Sequence, residues 1–234
     1  MVTDKNKHLE ESLETHKMKH IQEKLDAFTS RAEEVKRKLC DHYGMCAYNI
    51  FRSGSFAKNT AINIKFDIDL VVPFKRDSFN TLEEMYNDVY NFLWREYKDG
   101  TQIRRQKVSL GLTFPVDEKG YIVKLDIVPG RELNSGDYHQ TKDLNLYFNE
   151  AHWGFKKGSR QKTNIQAQID HISGRVIERK LIRLLKIWKN SNNEDYKSFM
   201  LELFTIKAIE NYSGENKLWN LLRHVMVYIA DNIE

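Results

Sequence analysis

The chain has 234 residues, 41% of them apolar and 12% aromatic, enough for a sizeable core in one large or two small domains; three prolines, eleven glycines and no repeat exclude a disordered chain or a solenoid. Thirty-seven basic against 33 acidic residues leave a formal net charge of +4, too mild to require a nucleic-acid partner. No apolar run nears the ~18 residues of a membrane span, and the polar start MVTDKNKHLEE does not read as a signal peptide, so a soluble, cytoplasmic protein with no membrane partner is expected.

From Leu9 to Leu39 the apolar residues Leu9, Leu13, Ile21, Leu25, Phe28, Ala32, Val35 and Leu39 fall mostly three and four apart, which predicts one long amphipathic helix lying along the body as a strut. A coiled-coil dimer ranks lower because the spacing breaks around His16 to His20. Tyr43-Gly44 reads as the helix stop. Cys40 and Cys46 make no secreted disulfide framework; with His42 they could form a zinc site, but two reduced thiols at a helix end is the preferred reading.

Ala47 to Arg52 reads as a strand leading into Gly54-Ser55, and Ser55 to Ala61 as a short helix whose N-terminal amides favour anions. Lys58 lies near that turn or is solvated. Phe66 to Val72, F-D-I-D-L-V-V, ends at Pro73 and reads as a strand rich in β-branched and aromatic residues. Side chains on a strand alternate, so Asp67 and Asp69 project together while Ile68 and Leu70 enter the core. Two carboxylates so placed repel each other unless a cation lies between them, and Mg²⁺, which also takes phosphate oxygens, suits that place. Gly54 lets the backbone approach a phosphate chain, and Ser55 offers an amide and a hydroxyl. Asp-x-Asp and Gly-Ser are each common alone; their order and spacing carry the reading of a nucleotide-handling site.

Thr81 to Tyr97, with Leu82, Met85, Tyr86, Val89, Phe92 and Leu93 at helical spacing, reads as a covering helix. Strands are expected over Ile103 to Phe114 and Tyr121 to Val128, separated by a hairpin turn at Asp117 to Gly120. Lys124, Asp126 and Val128 share one face of the second, and Asp126 is the third carboxylate. Arg131 to Gly158 reads as long loops, with Lys156, Lys157, Arg160 and Lys162 as solvated positions. Helices follow over Ile172 to Trp188, Tyr196 to Tyr212 and Lys217 to Ile233. The expectation is an α+β chain with a mixed sheet core at about 45–135 and helices from both ends packed on it.

Four segments now carry a resemblance: GS-x11-DID-L at 54–70, the later strand with Asp126, KLIRLLKIWK at 180–189 and SFMLELFTIKAIE at 198–210. Together they resemble the nucleotidyltransferase superfamily that shares the DNA polymerase β palm. More narrowly they look like the CD-NTases, bacterial relatives of cyclic GMP-AMP synthase, and like oligoadenylate synthetase. The likeness covers most of the chain and implies a long N-terminal helix over 1–42 packing on both lobes, a palm core over 43–135 and a loop region with a helical lobe over 136–234. It implies transfer of a nucleotidyl group from one NTP to a hydroxyl of another, ending in a cyclic di- or trinucleotide signal, in antiphage (CBASS-type) defence.

By position, the resemblance gives Gly54 and Ser55 the donor triphosphate, and Asp67, Asp69 and Asp126 two Mg²⁺ ions, with Mn²⁺ as a substitute. Lys186 would reach the phosphates, Ser198 would bond one, and Phe199 would stack on the donor base; Phe199 as a core aromatic and Lys186 as a solvated lysine stand beside those readings. The implied partners are NTPs, ATP and/or GTP, with nucleic acid not required, a monomeric enzyme, and a regulatory protein or an effector that responds to the product. Two departures stand out. The His and Cys cluster of the animal DNA sensor's zinc module is missing, and the chain ends at Glu234, shorter than the family leads one to expect, so a missing C-terminal segment stays open.

In a two-metal site the ions sit ~3.5–4 Å apart and clamp the attacking and leaving oxygens of an in-line displacement at phosphorus. Asp67 and Asp69 would bridge both, and Asp126 would ligate only the ion that activates the acceptor hydroxyl. The competing functions are a linear 2′–5′ oligonucleotide synthetase, a transferase modifying RNA or protein, and an inactive nucleotide-binding module.

Overall fold

The computed structural model describes residues 4–149 and 160–232, which divide into two units. The sheet unit comprises Glu23–Ala57 and Asp67–His171; the helical unit comprises Met1–Gln22, Lys58–Phe66 and Ile172–Glu234.

The sheet unit is built on seven strands: β1 (Phe51–Ser53), β2 (Ile68–Phe74), β3 (Gln102–Arg105), β4 (Leu110–Thr113), β5 (Lys124–Glu132), β6 (Leu144–Tyr147) and β7 (Arg160–Thr163). The main path runs β1-β2-β5-β4-β3, and β6 joins β5 on one side and β7 on the other. Only β2 and β5 run parallel; the other neighbours are antiparallel. The sheet is therefore mixed, as the α+β expectation requires. Buried Leu70, Val71, Val72, Leu125 and Ile127 form its centre.

Two helices of this unit follow the periodicity of the sequence. In α2 (Gln22–Tyr43) the buried residues are Phe28, Ala32, Val35, Leu39 and Tyr43, one stripe at three- and four-residue spacing. The helix α4 (Leu82–Tyr97) buries Met85, Tyr86, Val89, Phe92, Leu93 and Tyr97, and Thr81 caps it by accepting from the Glu84 N–H at 3.0 Å.

At the far end of β5, the wholly buried Glu132 carboxylate accepts from Arg76 N, Tyr48 Oη, Gly136 N and Tyr138 N at 2.8–3.2 Å. Burial alone would raise its pKa, but these donors together hold the carboxyl below the ordinary range. The clamp fixes the turn that leaves the sheet.

The helical unit contains α1 (Lys5–Thr15), α7 (Val176–Ser191), α8 (Ser198–Glu210) and α9 (Leu218–Asn232). Leu13, Leu181, Leu184, Leu185, Leu201, Ala208, Leu221, Leu222 and Val225 form one core cluster within it.

Several boundaries differ from the sequence-based expectation. The single helix over 9–39 is α1 and α2 with a 3₁₀ turn at Met18–Ile21 between them. Asn63, 48 residues after Thr15, donates its side-chain amide to Thr15 O and its N–H to His16 O, taking carbonyls that a continuing helix would use. The strand over 103–114 is the β3–β4 hairpin. The helix over 55–61 is one turn, α3 (Gly54–Ala57), too short for a sizeable dipole. Pro73 lies inside β2 rather than ending it, and Asp67 just precedes that strand.

The stretch read as loops, Arg131 to Gly158, contains the end of β5, the short α5 (Tyr138–Thr141) and β6, and β7 follows it. Lys162 in β7 pairs with Asp143 at 2.8 Å, while Lys156, Lys157 and Ile233 lie outside the described residues. Ile172 ends a separate helix, α6 (Ile165–Ile172), so α7 begins later than expected. Cys40 and Cys46 are exposed free thiols, consistent with the preferred reading. Among the described residues no helix is long and apolar enough to cross a membrane.

Candidate active site

The parallel pairing of β2 with β5 sets Asp69 directly opposite Asp126, on backbones spaced by about 4.8 Å. The row continues across the sheet in both directions. Ser53 of β1 opposes Asp69, Gly111 of β4 opposes Asp126, and Arg104 of β3 opposes Gly111. Residues opposite one another share a face, so Asp69, Asp126 and Arg104 project to the same side.

The Gly54 turn touches this row. Gly54 has φ +69°, and a Cβ built there would lie 1.7 Å from Asp69 Oδ2 and 2.9 Å from Asp69 Cγ. The missing side chain is therefore the space in which the Asp69 carboxylate sits, and only glycine meets both the positive φ and the close approach. Ser55 follows in α3, half-buried.

Asp67 is exposed, whereas Asp126 is half-buried. Burial first and the Asp67 carboxylate second push the Asp126 carboxyl above its ordinary range; the Gln106 hydrogen bond and the Arg104 guanidinium pull it back. That influence brings Asp67 to the same cluster. Lys124 shares that strand face, but no ion pair among the described residues joins it to Asp126. Gln106 Nε2 donates to Asp126 Oδ1 at 3.0 Å instead.

The donor set is entirely carboxylate, hard oxygen ligands of the kind Mg²⁺ or Mn²⁺ takes. No three acidic, histidine or cysteine groups among the described residues are drawn together around one metal-sized point. Asp126 is held toward Gln106 and Asp69 lies against Gly54, so the carboxylates fit a divalent cation in kind without enclosing one.

Lys186, Ser198 and Phe199 belong to the helical unit. Lys186 is 5% exposed, so it is not a solvated lysine: its ammonium donates to Thr60 Oγ1 at 2.9 Å and Thr60 O at 3.2 Å, and pairs with Glu202 at 3.4 Å. Lys58, 7% exposed, pairs with the same Glu202 at 2.8 Å, which removes its solvated alternative too. Phe199 is 44% exposed and not a core aromatic; the Lys58 ammonium lies 4.9 Å from its ring centroid. Ser198 is half-buried at the first position of α8.

Sequence reasoning passed over Glu202, Thr60 and Gln106. Glu202 had a signal, one acid inside the apolar run of α8, a position where a carboxylate needs a buried partner. Gln106 had none.

A mixed sheet with carboxylates on two adjacent parallel strands, and a Gly-Ser turn against one of them, gives the chain the α+β fold of the solved CdnC and DncV structures. Within that class the resemblance to the CD-NTases is borne out. The chain is 24% identical over 214 residues to the CBASS oligonucleotide cyclase CdnC of Escherichia coli (strain KTE188), covering 85% of this chain and 62% of that protein. It is 26% identical over 205 residues to the cyclic AMP-AMP-AMP synthase of Escherichia coli (strain MS 115-1), covering 80% and 60%. Among solved structures, E. coli MS115-1 CdnC with ATP superposes with a TM-score of 0.65 at 24% identity, covering 90% of this chain and 67% of that one. CdnC of that strain is also solved in a complex with HORMA-deltaN, with a TM-score of 0.62 at 23% identity over 88% and 65% of the two chains. The chain thus spans about three fifths of the length of the curated relatives it matches. No protein-family profile matches it.

Proposed function

We propose that the chain is a nucleotidyltransferase that joins NTPs, ATP and/or GTP, into a cyclic di- or trinucleotide messenger of CBASS-type antiphage defence. The observation that carries the reading is the β2–β5 register, which sets Asp69 opposite Asp126 with Gly54 closed against Asp69. The likeness to curated cyclases supports the product class.

In this reading Gly54 and Ser55 hold the donor triphosphate through backbone amides and a hydroxyl, charge-assisted bonds of the strong kind. Asp67 and Asp69 would hold divalent cations, Mg²⁺ or Mn²⁺, with Asp126 as a further carboxylate ligand on the acceptor side. When bound, the metals neutralise charge on the attacking and leaving oxygens of an in-line displacement. An acceptor hydroxyl oxygen bonds to the donor α-phosphorus, the bond from that phosphorus to the bridging oxygen breaks, and pyrophosphate leaves. Asp126 takes the hydroxyl proton. Arg104, on the same sheet face toward the β3 edge, attracts the acceptor's phosphates.

Phe199 stacks on the donor base, and Ser198 bonds a phosphate. Lys186, fixed inside by Thr60 and Glu202, adds positive charge rather than a mobile contact. The enzyme acts as a monomer regulated by a protein partner, a reading supported by the complex of E. coli MS115-1 CdnC with HORMA-deltaN, and an effector responds to the product. The test of the reaction is pyrophosphate release from NTP with Mg²⁺. One pyrophosphate per bond formed is expected; binding of NTP without release favours an inactive module.

Phe199→Ala is expected to weaken donor binding by about 1–3 kcal/mol, the range for base–aromatic stacking. Phe199→Tyr is tolerated, and because the ring is exposed neither variant moves the melting temperature far. Nucleotide titration and thermal melts of both check this; a large drop in melting temperature with unaltered affinity contradicts the stacking role.

A further inference from the structure

The turn between β3 and β4 carries a side chain that neither the motif nor the nucleotide chemistry assigns. Gln106 follows β3, and its amide crosses the β4 backbone to reach β5, where Nε2 donates to Asp126 Oδ1 at 3.0 Å. Gly111 is the β4 residue paired with Asp126, and it makes the crossing feasible. A Cβ at Gly111 would lie 2.4 Å from Gln106 Nε2 and 3.3 Å from Asp126 Oδ1. The strand has no side chain at the one place where Gln106 needs the room.

The amide is oriented from behind. Ser109 Oγ donates to Gln106 Oε1 at 2.6 Å. A carboxylate only accepts, so the two bonds together fix which end of the amide faces Asp126. The turn is fixed in its own right. Gln106 N–H donates to Ser109 O at 2.9 Å, and the fully buried Tyr86 hydroxyl of α4 lies 2.9 Å from both Gln106 O and Ser109 O. A flexible four-residue turn would not need these restraints, and a surface glutamine would not be aimed at a half-buried carboxylate.

We propose that Gln106 is the positioning residue of Asp126: it holds the carboxylate by Oδ1 and leaves Oδ2 as the oxygen presented to the acceptor-side cation and hydroxyl. The proposal rests on the catalytic reading of Asp126 given above. Without the amide, the oxygen facing the acceptor is no longer set in advance of binding. Groups that orient a metal-binding side chain act in this way without touching substrate.

Gln106→Met keeps length and bulk and removes the amide; Ser109→Ala keeps Gln106 and loosens its far end. Steady-state rates at rising NTP, Mn²⁺ titration followed by electron paramagnetic resonance with a non-hydrolysable NTP, and thermal melts are measured for both, with Asp126→Asn in parallel. Gln106→Met is expected to lower kcat by ~10–100-fold and to weaken Mn²⁺ binding, with KM for NTP within about twofold and melting little changed. Ser109→Ala gives a smaller loss in the same direction. If Gln106→Met turns over normally while Asp126→Asn is inactive, the positioning role is wrong and the catalytic reading stands. If Asp126→Asn itself turns over normally, both are wrong.

Discussion

Asp126→Asn is expected to bind triphosphate and fail to turn it over. Asp126 is remote in sequence from Asp67 and Asp69, and the sheet brings it to them through the β2–β5 pairing. In the proposed reading it serves only the acceptor side, so the donor would keep Asp67, Asp69, Gly54 and Ser55. The acceptor hydroxyl would lose its proton acceptor and one ligand of the cation proposed beside it. Loss of a general base alone costs ~10²–10⁴ in rate. Titration with a non-hydrolysable NTP alongside a product assay separates the two effects.

The fold control has a definite sign. A carboxyl whose pKa is raised on folding contributes most stability below its unfolded value and loses it as pH rises through the folded one. Once ionised, Asp126 therefore opposes folding of the metal-free protein. The variant should melt no lower than the parent in EDTA, and near-normal turnover would make Asp126 an ordinary surface residue.

Gly54→Ala should be as damaging by a different route. The new methyl group would stand 1.7 Å from Asp69 Oδ2, far inside contact distance, so Asp69 or the turn must move. The φ of +69° adds a backbone penalty of about 1–2 kcal/mol for a residue with a Cβ. A displacement of about 1 Å in a reacting group can cost ~10² in rate. The expected result is loss of turnover by two orders of magnitude or more, with a modest fall in melting temperature. A variant with normal kcat and KM would show that the Gly54–Asp69 contact has no part in catalysis.

What could be read from the chain divides by the range of the interactions. Asp69, the Gly54 turn, and helices α2, α4 and α9 were legible because strand alternation, glycine and a 3.6-residue stripe are local signals, whereas Asp67, read on the same strand, lies just before it. The break between α1 and α2 left only the gap in apolar spacing around His16 to His20: no Gly or Pro marks it, and its carbonyls are taken by Asn63. Ile103 to Phe114 looked like one strand because the turn at Gln106–Ser109 contains no Gly, Pro, Asn or Asp, and Tyr86 from α4 bonds it. Lys186 was legible as a helical lysine, but its burial depends on Glu202 and Thr60, neighbours that only tertiary structure supplies. Gln106 depended on the register that puts Gly111 beside Asp126.

The central claim is tested most directly by the product itself. The purified protein, activated by its protein partner where one is required, is incubated with Mg²⁺ and a mixture of ATP and GTP, treated with phosphatase, and the nucleotide products are weighed by mass spectrometry, with Asp69→Asn as the control. The account predicts a phosphatase-resistant species with the mass of a cyclic di- or trinucleotide, present with the parent protein and absent with Asp69→Asn. A phosphatase-sensitive ladder of linear oligonucleotides, or the same resistant species from Asp69→Asn, would contradict it.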